Sequence, residues 1–154
     1  MPHVLDSMDR NILRVLQHDA RMQNLQLSEV VGLSPSPCLR RVRRLEASGI
    51  LQRYVALVDA SKVGWGMTMF ARVSLVAQDA ETVARFSEAM RRLPQVMECY
   101  IMAGECDALL RVVAPDIAGY RQFQSLHLTR ANEVQTVKTD IPMEKVKQST
   151  ELPF

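Results

Sequence analysis

The chain has 154 residues, 47% of them hydrophobic and 5% aromatic, with a formal net charge of +2. That is enough apolar material for one medium core or two small ones, and it excludes a disordered chain. No apolar run approaches the ~18 residues of a membrane span, and Met1–Arg10, which holds Asp6 and Asp9, lacks the apolar stretch of a secretory leader.

The first third reads as three helices. Asp6 is a good N-cap, with Asp9 three residues on in a capping-box-like arrangement, and Met8, Ile12, Val15 and Leu16 follow at helical spacing to about Gln17. Asn24 is expected to cap a short second helix with Leu27, Val30 and Val31 on one face, stopped by a left-handed Gly32. Ser34 caps a third, with Pro35 at N1 and Pro37 still inside the first turn. Gly49 ends it. Residues 50–58 (Ile50, Leu51, Tyr54, Val55, Leu57, Val58) are β-prone and suit a short wing or hairpin. Asp59–Gly66 reads as a linker.

The remainder alternates between strand and helix periods. Met67–Val76 is a strand. Asp79 caps a helix with Val83, Phe86, Met90 and Leu93 inward, and Pro94 stops it. Val96–Met102 and Ala108–Val113 are strands joined by a turn at Gly104. Asp116 caps a helix with Ile117, Tyr120 and Phe123, and Val134–Val146 is a long fourth strand whose Pro142 implies an edge or a bulge. The class is α+β: a winged helix-turn-helix (residues 1–60), a linker (61–66), and a ferredoxin-like βαββαβ domain (67–154) with two helices on one sheet face. Nothing in the chain covers the other face, and a second subunit is its natural cover.

Charge is local. Residues 1–60 hold eight Arg and six acids, residues 61–154 eleven basic and eleven acidic residues. Five Arg stand against the single acid Glu46 within 34–54, which points to a polyanion surface. At 100° per residue, Cys38, Leu39, Val42 and Leu45 share one arc of the third helix. Arg40 and Arg44 point almost opposite, Ser36, Pro37 and Arg41 flank them, and Arg43 lies nearer the apolar edge. A recognition helix enters the major groove by its N-terminal end. Ser36, Pro37, Arg40 and Arg41 are therefore the candidates for base and near-phosphate contact, with Arg44, Arg53 and Ser34 on phosphates, Ser34 through the first-turn N–H groups.

Other chemistries find no footing. The sequence has no Ser/His/Asp or Cys/His constellation, no GxxxxGK[ST] and no GxGxxG. His3, His18 and His127 lack metal-ligand spacing, so no metal or cofactor is expected. Cys38, Cys99 and Cys106 form no CxxC pair and fit a reducing cytosol, Cys38 as a small core residue.

Leu5–Asp59, above all SPSPCLRRVRRLEASGI, resembles the DNA-binding domain of the leucine-responsive regulator/AsnC (Lrp/AsnC) family. The likeness continues through AGECDALLRVVAPD (Ala103–Asp116) and MEKVKQST (Met143–Thr150). It implies a cytoplasmic transcription regulator that is not an enzyme. It also implies binding to double-stranded promoter DNA, dimerisation through the sheets and linker strands, assembly of dimers into octamers, and a response to an amino acid, leucine- or methionine-like. The family's effector site lies between subunits at the turn after the second strand, here Ala103, Gly104, Glu105, Cys106 and Asp107. Gly104 would allow close backbone approach, and Asp107 would take the ammonium or hold the loop. Ile117, Thr136 and Asp140 are the expected facing residues. Ala108 stands where the family often has an aromatic residue, which implies a roomier or differently shaped pocket. Asn132 stands near a family Gly-Val turn and would supply the left-handed conformation. Two rivals remain: an enzyme on a ferredoxin-like fold, and an architectural DNA-compacting protein with no ligand response and strong salt dependence.

Overall fold

The computed structural model describes residues 5–153, so His3 lies outside it. The chain forms two compact units. Residues up to Leu57 together with those from Lys147 onward make one, and Val58–Val146 the other.

In the first unit, α1 spans Ser7–His18, α2 Asn24–Val31 and α3 Pro35–Ala47. Asp6 caps α1 in a full capping box. Its carboxylate accepts the Asp9 N–H at 2.7 Å, and the Asp9 carboxylate accepts the Asp6 N–H at 3.4 Å. Ile12, Leu13 and Leu16 of α1, Leu27 and Val31 of α2, and Cys38 and Leu45 of α3 form the buried core. Two expectations for α2 are corrected. Its N-cap is Gln23, and the Asn24 amide reaches forward to donate to the Pro35 carbonyl at 2.9 Å. Ser28, not Val30, shares the buried face, and Val30 is exposed. Gly32 takes the left-handed conformation that stops the helix, at φ 70°. The β-prone stretch after Gly49 runs on without a strand of its own, and Val55, Leu57 and Val58 stay exposed. The Tyr54 hydroxyl donates to Glu46 at 2.8 Å, and burial followed by that carboxylate pushes the phenol up to about 12. Near the C-terminus, Leu152 and the Gln17 amide exchange two hydrogen bonds, at 2.7 and 3.2 Å.

In the second unit, a short 3-10 turn (Ala60–Val63) precedes β1 (Met67–Leu75), α4 (Ala80–Arg91), β2 (Val96–Ile101), β3 (Ala108–Ala114), α5 (Ile117–His127) and β4 (Val134–Asp140). The sheet is antiparallel in the order β2-β3-β1-β4, which is the ferredoxin-like arrangement. Period-two alternation sends Met69, Ala71, Val73 and Leu75 of β1 and Ala108, Leu110, Val112 and Ala114 of β3 into one core with Phe86, Met90, Tyr120 and Phe123 of the helices. Asp79 and Asp116 cap the two helices through the Thr82 and Gly119 N–H groups. A Cβ at Gly119 would stand 2.9 Å from Pro115 Cγ, so glycine is required for that turn to close.

The fourth strand is shorter than expected. β4 ends at Asp140, before Pro142, and lies at the sheet edge with a register shift opposite Ser74/Leu75. The left-handed residue before it is Glu133, at φ 65°, and not Asn132. Asn132 sits in a 3-10 turn and donates its amide to the His127 carbonyl, while Arg85 Nε grips Glu133 at 2.7 Å. A non-glycine residue there costs about 1–2 kcal/mol of backbone strain.

Candidate nucleic-acid interface and ligand turn

The arginines of α3 fall into two pairs. Arg40 and Arg43 are exposed, and their side chains make no ion pair or hydrogen bond among the described residues. Arg41 and Arg44 are fastened to α1. Arg41 Nη1 lies 2.6 Å from Asp6 Oδ2 and 2.8 Å from Asp9 Oδ1. Arg44 Nη2 donates to both Asp9 oxygens at 2.9 Å. Asp9 is 1% exposed, whereas the Arg41 and Arg44 side chains keep 28% and 49% of their surface open. The guanidinium groups thus touch a buried carboxylate with one edge and water with the other. The Asp9 N–H, followed by the Arg41 guanidinium, holds the Asp6 carboxyl below its ordinary value.

Sequence reasoning missed this cluster because its partners are 32 and 35 residues apart. The available signal was two acids in the first turn of α1 facing an arginine-rich helix. Arg43, nearer the apolar edge by helical angle, is exposed as well.

At the start of α3, Ser34 makes no side-chain cap bond, so its hydroxyl stays available, and Ser36 is exposed. Pro37 is half-buried, and Arg53 lies exposed in the extended segment after the helix. The expected anion site of first-turn N–H groups is thinner than the sequence implied. Pro35 and Pro37 have no N–H, and the Cys38 N–H is spent on the Ser34 carbonyl, which leaves the Ser36 N–H. Cys38 is fully buried, as its place on the apolar stripe requires.

In the second unit, Ala103–Asp107 form the turn between β2 and β3. The Asp107 carboxylate accepts the Leu75 N–H at 2.8 Å and the Gln78 amide at 2.7 Å. Its backbone N–H donates to the Val73 carbonyl, and its carbonyl accepts the Met102 N–H. Asp107 therefore ties the end of β1 to the start of β3. Ala103, Gly104 and Glu105 are exposed, and Cys106 is half-buried. Gly104 does not take a left-handed conformation, and a Cβ there would meet nothing within 4 Å, so nothing within one chain demands glycine. Ala108 points into the helix-side core and does not face the turn's open side.

On the sheet face away from the helices, Arg72 holds Asp140 at 2.8 Å, and Arg111 holds Glu98 at 2.7 Å. Glu105 lies close enough to Arg72 to stabilise its charge. Thr136 pairs with Ser74 on the same face. The turn, Thr136, Arg72 and Asp140 thus share one region. Ile117 does not join them: it begins α5 after the far end of β3, a strand length of roughly 20 Å away. Among the described residues, no helix is long and apolar enough to cross a membrane, and no cluster of three His, Cys, Asp or Glu side chains could hold a metal.

Comparison with known proteins matches residues 5–52 to a winged helix-turn-helix DNA-binding family and residues 68–152 to the Lrp/AsnC ligand binding domain. The leucine-responsive regulatory protein of Escherichia coli K12 is 40% identical over 148 residues, covering 96% of this chain and 90% of its own length. A transcriptional regulator from Neisseria meningitidis, solved as a complex with L-Met, superposes with a TM-score of 0.92 at 37% identity, covering 97% of each chain. An AsnC family transcriptional regulator from Agrobacterium tumefaciens gives a TM-score of 0.91 at 41% identity, also over 97% of each chain.

Proposed function

The chain belongs to the Lrp/AsnC family of DNA-binding transcription regulators, and on that premise we propose which surfaces bind DNA and ligand. The outward side of α3 enters the major groove of a promoter duplex. Arg40, Ser36 and Pro37 lie nearest the bases, and Ser34, Arg41, Arg44 and Arg53 meet phosphates. The observation that carries this reading is the exposed Arg40, which no carboxylate among the described residues pairs with, on a helix whose opposite face is buried.

The ligand is a free amino acid, held between subunits at the Ala103–Asp107 turn. The L-Met bound to the Neisseria regulator supports that class of ligand. Asp107 gives one carboxylate oxygen to the Leu75 N–H and the other to the Gln78 amide, so its first role is to hold the loop that shapes the site. Glu105, exposed and without a hydrogen-bonded partner among the described residues, is left to meet the ammonium. Thr136, Cys106 and Asp140 line the same region, and Ile117 would reach it only from another subunit. The open sheet face, which mixes Phe70, Leu109 and Val113 with paired charges, is covered by a second copy, and dimers assemble further into octamers. The protein acts in the cytoplasm, where promoter DNA lies.

The test is a thermal-shift screen of the twenty amino acids read beside titration of promoter and shuffled duplexes. One amino acid class should raise the melting temperature and shift promoter affinity by about 1–3 kcal/mol of coupling. Equal binding to every duplex with no amino-acid response would favour an architectural role.

A further inference from the structure

We infer that Asp9 is a positioning residue for DNA binding: its buried carboxylate fixes the two α3 arginines, Arg41 and Arg44, so that their open edges meet phosphates already ordered. The inference rests on the proposed role of α3 and adds a residue from a helix that touches no DNA in that role.

The geometry is specific. One carboxylate, 1% exposed, receives Arg41 at 2.8 Å and Arg44 at 2.9 Å, and Asp6 adds a second hold on Arg41 at 2.6 Å. A guanidinium has five N–H donors in a rigid fork. Arg41 uses Nη1 and Arg44 uses Nη2 toward the acids, so each keeps donors on its exposed side. A free arginine loses much side-chain entropy when a phosphate immobilises it, and an arginine held in advance has already lost it. Arg40 and Arg43 have no such hold, and Arg40 remains free to adapt to base edges. The helix thus separates a fixed pair of arginines for the backbone from an unheld Arg40 for the sequence.

Electrostatics alone predicts the opposite sign for removal of the acid, because a carboxylate near phosphates repels them. That opposition makes the inference testable. Asp9→Asn keeps the shape and removes the charge. In the full-length protein, confirmed folded by circular dichroism at the assay temperature, it should weaken binding to promoter and shuffled duplexes alike by about tenfold. In an Arg41→Ala/Arg44→Ala background the same substitution should weaken duplex binding no further, since in this account Asp9 reaches the DNA through those two side chains.

Unchanged or tighter binding by Asp9→Asn overturns the inference, and so does an equal loss in the background lacking both arginines, which is what a merely structural role would give. Should Asp9→Asn not fold, Asp6→Asn serves instead. Asparagine still caps α1, only the hold on Arg41 is lost, and a loss of about twofold to threefold is expected, with tighter binding as the contrary result. Arg40→Ala separates the two readings. If it weakens promoter binding while the Asp9 and Asp6 variants do not, only the positioning role fails. If the native protein binds no duplex, the reading of α3 fails with it.

Discussion

The two units treat charge in opposite ways. The helical unit keeps a carboxylate at 1% exposure and runs two arginines onto it. The sheet unit has an apolar core whose one buried polar residue is Thr82, and its cross-strand ion pairs, Arg72–Asp140 and Arg111–Glu98, lie on the face the helices leave open. Burying a charge is costly unless it is fully paired, and apolar residues of similar volume often serve stability as well or better. A buried carboxylate with two half-open arginines on it is therefore better explained by what it does to the arginines than by the stability it adds. Paired charges on a half-apolar sheet face are what a surface needs if it is solvated in one state and covered in another.

Substitutions can break or sharpen this contrast. The largest effect is expected in the sheet unit's apolar core. Phe86→Ala should cost about 3–5 kcal/mol in urea denaturation followed at that unit. A loss below 1 kcal/mol would mean that the core is less tightly packed than its full burial implies.

Asp107→Ala removes the acceptor for the Leu75 N–H and the Gln78 amide. It should cost about 1–3 kcal/mol and blunt the amino-acid-dependent thermal shift while leaving duplex affinity intact. An unaltered ligand response would take Asp107 out of the site.

The smallest effect is a pH dependence confined to the helical unit. The Asp6 carboxyl sits below its ordinary value of 3.8, held by the Asp9 N–H and by Arg41. Its contribution to stability is therefore complete above that value and lost as acid titrates it through the lower folded value. A urea midpoint followed through this acid range should fall less steeply for Asp6→Asn than for the native chain. Identical profiles would show that Asp6 contributes nothing.

Much of this molecule is legible in local sequence. The Asp6 capping box, the Gly32 stop, the Asp79 and Asp116 caps and the alternation of β1 and β3 depend on neighbours within four residues, and each forms as read. What local reading missed is long-range or depends on a competing partner. Asn24 looked like a cap, but its amide finds the Pro35 carbonyl eleven residues on. The fourth strand looked continuous to Val146, but no strand partner continues past Asp140 and Pro142 lacks a ladder donor. Residues 50–58 have strand chemistry with no strand beside them in a single chain. In the candidate interface, helical periodicity placed Arg40 outward correctly. It could not show that Asp6 and Asp9 hold Arg41 and Arg44, because periodicity on α3 contains no information about the face of α1. Likewise the turn at 103–107 is legible from its Gly and its flanking strands, whereas the sequence does not show that within one chain Ile117 lies at the opposite end of β3 and could face the turn only from another subunit.

The most direct test of the α3 reading is the affinity of Arg40→Ala for a promoter duplex against a shuffled one at fixed salt. The account predicts a loss of about 1–3 kcal/mol on the promoter and a much smaller loss on the shuffled sequence. Equal affinity of native and Arg40→Ala proteins for both duplexes would contradict it.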